Sequence, residues 1–367
     1  MKIIYDHKIF HNQIRGGPSR LFLTLAKYLS NKNVNLKIVS PIHNNEFLNE
    51  FSKQNSNLVY GKYFRKRIPY TGKIIHKLND LISKYQYNKD KFDIYHSTYF
   101  GKPIFKSKKL VITIHDLIHE IFYKNLKSDS LDNKKKIIFK ADKIICVSNN
   151  TKNDLMNFYG IEEKKIKVIY PGVSNIFLDK NYFENIDFIK FKPYILYVGS
   201  RHSYKNAKNF VKSFSLSARL KKDFKIVFFG GGKFTSEEVK FFNNLGLHEK
   251  FLFQVDGNDN CLKLFYQNAE AFIYPSLYEG FGSSPLEAMN NSCPVLSSNT
   301  SCLEEVQSNA SLKFDPYNIE EIKNKIEYLI YSDEKKKALI KLGLNQIKKY
   351  SWSKCSKETL DLYTEIY

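Results

Sequence analysis

The sequence lacks any apolar run approaching the roughly 20 residues needed to span a bilayer. Its first residues, MKIIYDHKIF, hold a short β-like run without a long apolar core and a small-residue cleavage site. We therefore expect no signal peptide. Together these absences predict a cytoplasmic protein, peripheral at most on the inner face of the cytoplasmic membrane.

Cysteine and arginine are both scarce. The five cysteines are scattered and never form C-x-x-C, so we expect neither a metal cluster nor a disulfide framework. The net charge of +21 indicates an anionic partner, such as nucleic acid, a phospholipid surface or phosphorylated substrates. Only six of the 58 basic residues are arginine, the better residue for reading base edges. The abundance of Lys, Asn and Ile is also what an AT-rich genome produces, so charge alone decides little.

Strands alternate with helices along the chain, which is typical of parallel sheets built from βαβ units. Predicted strands include Lys2–Tyr5 and the β-branched run Leu110–Ile114. The pattern starts again at Tyr194–Val198, after the polar stretch Asp179–Lys192. With 367 residues and 43% hydrophobic content, the chain can bury two cores.

Local signals also define the ends of single helices. Ser148 suits the N-cap of a helix that Gly160 ends, and Ser19–Leu29 has apolar residues at helical spacing. A helix with one apolar side is predicted over Trp352–Tyr367.

The most informative segment is YPSLYEGFGSSPLE. A strand is predicted to end at Tyr274, and a loop carrying Glu279 and two glycines follows. A helix would then begin with Ser284 as N-cap and Pro285 at its first position, where proline is favoured. The free N–H groups of that helix end, at the carboxyl end of a strand, predict an anion site.

This segment matches the E-x7-E motif of retaining glycosyltransferases, and the chain resembles glycosyltransferase family 4. The resemblance implies that Glu279 contacts the transferred sugar and that Glu287 binds the ribose hydroxyls of a nucleotide, since carboxylates are strong acceptors for vicinal hydroxyls. The backbone between them would contact the sugar and phosphates, at Gly280, Phe281, Gly282 and Ser283. Ser284 and Glu287 also fit a capping box, which is a purely structural role.

A second match is YVGSRHSYKN. In the resembled family an arginine and a lysine after this strand neutralise the donor pyrophosphate, and Arg201 and Lys205 take these places, although their spacing is short for the family. The diphosphate leaves with a charge of about two that must be stabilised. A solvated helix start is the alternative. The sequence has no D-x-D motif, so we expect no metal and no cofactor besides the substrate.

The resemblance extends to three further places. Gly16 and Gly17 look like the family's N-terminal glycine loop, which approaches the acceptor and the diphosphate. His115 fits a histidine near the reacting sugar, with a hydrogen-bonded structural histidine as the alternative. Asp116 would orient it or cap the following turn. The nucleotide base would lie near Val255.

The implied fold is α/β and of the GT-B type, with two Rossmann-like domains facing a cleft. Residues 1–178 would form the acceptor domain, residues 179–350 the sugar-nucleotide domain, and residues 351–367 a helix crossing back to the first. The implied enzyme is a retaining, metal-independent hexosyltransferase. It would move a hexose or deoxyhexose from a nucleotide-diphosphate sugar to a glycan acceptor, lipid-linked, in bacterial O-antigen or capsule synthesis.

An oxidoreductase and a basic binding protein are the two alternatives to a glycosyltransferase. A Rossmann oxidoreductase would need G-x-G-x-x-G after the first strand, and His11–Pro18 lacks it. A basic, non-catalytic membrane- or nucleic-acid-binding protein remains the alternative. Residues 62–77 interleave cations with aromatics and Ile, which suits an anionic membrane surface as well as a solvated loop.

Overall fold

The computed structural model describes residues 1–65, 70–123, 129–173 and 189–367. They form two compact units, Met1–Gly172 with Trp352–Tyr367 (unit 1) and Val173–Ser351 (unit 2). The predicted boundary at residues 178 and 179 lies outside the described residues. Across the described ranges, no helix is long and apolar enough to cross a membrane.

Unit 1 is built on a parallel sheet of seven strands in the order β3-β2-β1-β4-β5-β6-β7. The strands are β1 (Lys2–Tyr5), β2 (Asn35–His43), β3 (Val59–Tyr63), β4 (Phe92–Ser97), β5 (Ser107–Ile114), β6 (Lys143–Cys146) and β7 (Ile166–Val168). The connecting helices are α1 (Lys8–Asn12), α2 (Gly17–Asn31), α3 (Glu46–Gln54), α4 (Gly72–Gln86), α5 (Ile118–Phe122), α6 (Asp129–Lys140) and α7 (Asn149–Tyr159). The central strands are apolar and buried, as a sheet covered on both faces requires.

Unit 2 repeats this plan with six parallel strands in the order β10-β9-β8-β11-β12-β13. The strands are β8 (Tyr194–Val198), β9 (Lys225–Phe229), β10 (Leu252–Val255), β11 (Ala271–Tyr274), β12 (Val295–Ser298) and β13 (Leu312–Phe314). The helices are α8 (Ala207–Ser215), α9 (Ala218–Asp223), α10 (Ser236–Asn244), α11 (Asp259–Asn268), α12 (Ser283–Asn290), α13 (Cys302–Gln307), α14 (Ile319–Ile330) and α15 (Asp333–Gln346). The predicted parallel α/β architecture is confirmed.

The helix α16 (Trp352–Ile366) belongs to unit 1, although it follows unit 2 in the sequence. Its Tyr363 is fully buried, and the hydroxyl lies 2.5 Å from His96 Nδ1 and 3.1 Å from the Tyr5 hydroxyl. A Cβ added to Gly172 would lie 2.2 Å from the backbone nitrogen of Trp352, so this position has room only for glycine. The helix is therefore part of the packing of unit 1.

In both sheets the order in which successive strands are added reverses beside the first strand. In unit 1 successive strands extend one way from β1 and the other way from β4, and in unit 2 the same reversal separates β8 from β11. Loops that leave neighbouring strands at such a point diverge and open a crevice at the carboxyl end of the sheet. This is where a ligand site is expected in each unit.

Candidate active site

The reversal point of unit 2 joins two predicted site residues. Lys205 closes a 3-10 turn after β8, and Glu279 lies in the loop after β11. The Lys205 ammonium donates to Glu279 Oε1 at 2.6 Å and to the Tyr274 hydroxyl at 3.2 Å. Both side chains of the ion pair are largely buried, at 18% and 9% exposed. The arrangement places a cation and a carboxylate side by side at the carboxyl end of the sheet.

The loop after Glu279 leads directly into a helix N-terminus. Gly282 is the N-cap of α12, with φ 73° and ψ 66° in the left-handed region, and Ser283 is the first helical residue. The prediction of Ser284 as N-cap was wrong, because the helix starts two residues earlier than a start with Pro285 at the first position requires. Because the N-cap is Gly282 and not Ser284, the capping box of Ser284 and Glu287, the structural alternative, is wrong as well.

Glu287 is half-buried on α12. Burial and then the Glu287 charge raise the pKa of the neighbouring Tyr266 well above its ordinary value. Phe281 is buried, and its ring packs edge-to-face against Tyr350 with centroids 5.6 Å apart. For Phe281, only the backbone can fill the predicted donor-binding role.

Arg201 has protein partners for its guanidinium. It is 5% exposed, and its Nε donates to Glu238 Oε1 at 2.7 Å. Its Nη2 also donates to Glu238 Oε2 at 3.2 Å. Further bonds reach three carbonyls of a glycine-rich turn, those of Gly230, Gly232 and Lys233. In this arrangement Arg201 holds the turn after β9 and does not accompany Lys205. Its predicted contact with a diphosphate stays a prediction.

Sequence reasoning missed two members of this site. Tyr274 was treated only as a strand end, yet its hydroxyl accepts from Lys205, and burial followed by the Glu279 charge raises its pKa. Ser301 Oγ accepts from the Glu279 backbone N–H at 3.0 Å and so fixes the loop. Ser301 has φ 51°, a conformation uncommon for serine. No local pattern in the sequence points to it.

Two other features of unit 2 lie away from this ion pair. Val255 ends β10, where its carbonyl accepts from the Gly230 N–H at 2.8 Å. An open cavity of about 540 Å³ lies along α10, and no predicted site residue lines it. Its lining residues are Phe234, Ser236, Val239, Lys240, Asn243 and Asn244.

In unit 1 the glycine pair opens α2. Gly16 is the N-cap, and Gly17 is the first helical residue. Among the described residues, and apart from its chain neighbours and its own helix backbone, a Cβ on Gly17 would meet no atom within 4 Å. A Cβ on Gly16 would meet the Gln13 side chain at 2.4 Å. Gly17 therefore leaves open space at a helix N-terminus, where a backbone approach to an anion is possible.

His115 directly follows β5 and is partly buried. Burial, and then the charge of Lys134, lower its pKa from 6.5 to about 4. Within the described part of the chain its Nε2 has no hydrogen-bond partner. Asp116 accepts from the Ile118 N–H at 3.2 Å, which is the turn-capping alternative foreseen for it. His115 is thus a neutral imidazole near neutral pH.

A buried polar network occupies the reversal point of unit 1. Asp6 and Lys8, both at most 1% exposed, form an ion pair of 2.7 Å just after β1. Tyr95, Ser97 and Thr98 also donate to Asp6. Although burial opposes ionisation, the charges of Lys8 and His7 and these hydrogen bonds hold the pKa of Asp6 low. The network fixes the loop after β1 against β4.

One group of described side chains has the chemistry of a metal site. The ligand atoms of His7, His76 and Asp80 lie within 4.8 Å of one another. His7 Nε2 is hydrogen-bonded to Asp80 Oδ1 at 2.9 Å, which ties the start of α1 to α4. A cation would have to replace that bond. None of the predicted site residues belongs to this group.

Two known protein families and several known proteins resemble this chain. The model described as "Glycosyl transferases group 1" matches residues 179–346, and the model described as "Glycosyltransferase Family 4" matches residues 15–175. The O-antigen chain mannosyltransferase B of Escherichia coli is 25% identical over 232 residues, which is 61% of this chain and 60% of that protein. The O-antigen chain mannosyltransferase RfbU of Salmonella typhimurium is 32% identical over 177 residues, 47% and 46% of the two chains.

A third relative comes from Campylobacter jejuni. The N-acetylgalactosamine-N,N'-diacetylbacillosaminyl-diphospho-undecaprenol 4-alpha-N-acetylgalactosaminyltransferase is 31% identical over 157 residues, 43% of this chain and 41% of that protein. The matches therefore span only 41% to 60% of these relatives' own lengths.

Solved structures resemble the whole chain. A glycosyltransferase from Rickettsia africae has a TM-score of 0.68 at 22% identity, covering 100% of this chain and 98% of the other. HepE of Anabaena, in complex with UDP and glucose, has a TM-score of 0.73 at 14% identity, covering 100% of both. At such identities the likeness shows the fold. The two family models together span most of the sequence, and the chain belongs to glycosyltransferase family 4, with the GT-B fold.

Proposed function

We propose that this chain is a retaining, metal-independent glycosyltransferase that uses a nucleotide-diphosphate sugar. The observation that carries the proposal is the contact of 2.6 Å between Lys205 and Glu279 at the reversal point of the unit 2 sheet. It pairs a group suited to phosphate with a group suited to sugar hydroxyls, beside a helix N-terminus.

The donor atoms of Lys205 fit a diphosphate. An ammonium has three N–H donors, and two of them reach Glu279 and Tyr274. The third can donate to a phosphate oxygen while the ion pair holds the side chain in place. Buried charges interact more strongly than exposed ones, so Lys205 can stabilise the negative charge that grows on the leaving group.

Glu279 fits the sugar. Lys205 occupies its Oε1, so Oε2 can accept from hydroxyls of the transferred hexose or deoxyhexose. We assign the backbone of Gly280–Ser283 to the phosphates and Glu287 to the ribose hydroxyls. Val255 would lie near the base. By resemblance, we assign Gly17 to the diphosphate, Gly16 to the acceptor, and His115 to the reacting sugar, with Asp116 beside it.

The proposed chemistry is a front-face displacement. The bond between the anomeric carbon and the diphosphate oxygen breaks, and the electron pair stays on that oxygen. The acceptor hydroxyl oxygen bonds to the same face of the carbon and passes its proton to the departing phosphate. No carboxylate acts as a covalent nucleophile, unlike in retaining glycoside hydrolases.

The acceptor and pathway are proposed from the relatives. Two of them are named as O-antigen chain mannosyltransferases, and a third is named for a diphospho-undecaprenol substrate. We propose a lipid-linked glycan acceptor in O-antigen or capsule synthesis, with mannose as the first sugar to try. The UDP complex of HepE supports a nucleoside diphosphate as the donor's leaving group.

The test begins with thermal melting in the presence of UDP, GDP, ADP and TDP. At least one should raise the melting temperature, because a ligand that binds only the folded state stabilises it. Transfer from a panel of sugar nucleotides would then identify the donor. If no nucleotide shifts the melting temperature and no donor is used, the non-catalytic alternative gains.

Glu279→Gln tests the site directly. We expect transfer to fall by roughly 10²-fold or more with the fold retained, since one preorganised interaction at the reacting centre is lost. Glu270→Gln is the matched control, because Glu270 forms a comparable ion pair of 2.9 Å with Lys336 in the same unit. Equal activity of the two variants would refute the assignment of Glu279.

A further inference from the structure

The helix α4 exposes an apolar stripe. Ile74, Leu78, Leu81 and Tyr85 follow one another at spacings of four, three and four residues, so they lie on one face of the helix. They are 67%, 42%, 65% and 82% exposed. Large apolar side chains exposed singly need no explanation, but a contiguous row of them marks an interaction surface.

The opposite face of α4 is the polar one. Asn79 and Ser83 are fully buried, and the Asn79 side chain accepts from the Ile42 N–H at 2.8 Å and donates to its carbonyl at 2.9 Å. A helix on a globular protein normally turns its apolar stripe to the core. Here Asn79 attaches the helix to β2, and the four apolar side chains of the stripe are exposed.

Charge around the stripe has one sign. Lys73, Lys77 and Lys84 are exposed on one flank, displaced from the stripe by about one residue's rotation. From Phe51 to Asn79 the sequence has seven lysines and arginines and no acidic residue. Asp80, which follows, is hydrogen-bonded to His7.

We propose that this face of α4 docks on an anionic phospholipid bilayer, with Ile74, Leu78, Leu81 and Tyr85 in the interface and the lysines at the headgroups. Long lysine stems suit this position, since the ammonium can reach phosphate while the methylenes stay in apolar surroundings. The uniform positive charge favours anionic lipid over an apolar protein groove. The inference is independent of the proposed transfer reaction, because vesicle binding requires neither donor nor acceptor.

The test is co-sedimentation of the full chain with vesicles of phosphatidylcholine, alone or mixed with phosphatidylglycerol. Binding is expected only with the anionic lipid and should weaken with salt. The double variant Lys77→Glu/Lys84→Glu should bind at least about tenfold more weakly. Lys337→Glu/Lys341→Glu, on exposed positions of α15, makes the same change in net charge and should bind like the parent chain.

The apolar stripe needs a separate variant. Leu81→Glu should weaken vesicle binding about tenfold or more, while Leu344→Glu, also on an exposed leucine, should not. Thermal melting of each variant checks that it folds. Equal binding to neutral and anionic vesicles, or folded Leu81→Glu and Lys77→Glu/Lys84→Glu variants that bind like the parent, would overturn the proposal.

Discussion

Two basic residues follow β8, and they have different partners. Lys205 contacts Glu279 and Tyr274 with one donor to spare, whereas Arg201 directs its guanidinium at Glu238 and the turn after β9. A planar, five-donor group suits several fixed acceptors, and a compact ammonium suits a point of charge. The same local sequence therefore supplies one residue that fixes a loop and one that can meet a ligand.

Arg201→Met should lower the free energy of unfolding by about 3–5 kcal/mol, because it leaves the Glu238 carboxylate buried without its partner. Urea denaturation measures this. Arg201→Met/Glu238→Met should recover much of the loss, since both charges are then removed. A loss of donor affinity without a loss of stability would instead favour the diphosphate role.

His115 gives a prediction for pH. Its folded pKa of about 4 lies below the ordinary 6.5, so between these values the unfolded chain binds more protons. Stability contributed by the neutral imidazole is therefore present above pH 6.5 and lost as pH falls towards 4. The loss should be at most about 3 kcal/mol. His115→Gln should remove this part of the pH dependence.

The measurement is the difference in unfolding free energy between the parent and His115→Gln, taken at neutral pH and near pH 4. On acidification, the unfolding free energy of the parent should fall relative to that of His115→Gln. His248→Gln, at an exposed position, serves as the control. A difference that stays constant over this range would contradict the burial of His115.

At the scale of elements, the start of α12 depends on a glycine in the left-handed region. Gly282 has φ 73°, and a Cβ there would lie 2.7 Å from Leu303 Cδ2. Gly282→Ala should cost about 1–2 kcal/mol of backbone strain, plus the displacement of Leu303. Gly160→Ala, at φ 62° with no atom within 4 Å, should show the strain alone. Equal losses in urea denaturation would mean that Leu303 moves freely.

The sequence predicted the elements that have clear capping residues or a clear apolar pattern. Ser148 caps α7 by accepting from the Thr151 N–H at 3.0 Å, and Gly160 ends that helix in the left-handed region, as predicted. The short strands β3 and β13 were missed. β3 contains Gly61 and is only partly buried, so its residues give no clear alternation of apolar and polar side chains.

The helix α4 was missed for a different reason. The apolar stripe of α4 is exposed, whereas prediction from the sequence assumes that the apolar side of a helix packs on a core. The composition of residues 62–77 suited a membrane surface as well as a solvated loop, whereas the exposed stripe runs from Ile74 to Tyr85. Residues 66–69 of that basic stretch lie outside the described ranges.

For the candidate site, the sequence offered single residues but not the contacts between them. Lys205 and Glu279 are 74 positions apart, and Arg201 and Glu238 are 37 apart. Motifs identify such residues one by one, but strand order decides which of them meet. In the sheet of unit 2, β8 lies between β9 and β11. Local patterns carry no information on that order.

At the scale of the whole molecule, the packing of α16 on the rest of unit 1 can be tested by mutation. Tyr363→Phe removes a buried hydroxyl that bonds to His96 and Tyr5, and should lower the free energy of unfolding by about 1–3 kcal/mol. Tyr367→Phe, at an exposed position, should change it by less than about 0.5 kcal/mol. If Tyr363→Phe is as harmless as its control in urea denaturation, the helix contributes less than its burial indicates.

Because α16 belongs to unit 1, the order of synthesis differs from the order of assembly. Unit 2 lies entirely between Gly172 and Trp352, so the ribosome has made all of it before the last helix of unit 1 exists. Until then the side of β1 that receives Tyr363 stays uncovered in the nascent chain. Unit 2 can fold as one continuous segment, whereas unit 1 cannot finish folding until α16 has been made. During synthesis, the apolar surface of unit 1 is therefore the part of the nascent chain most exposed to aggregation.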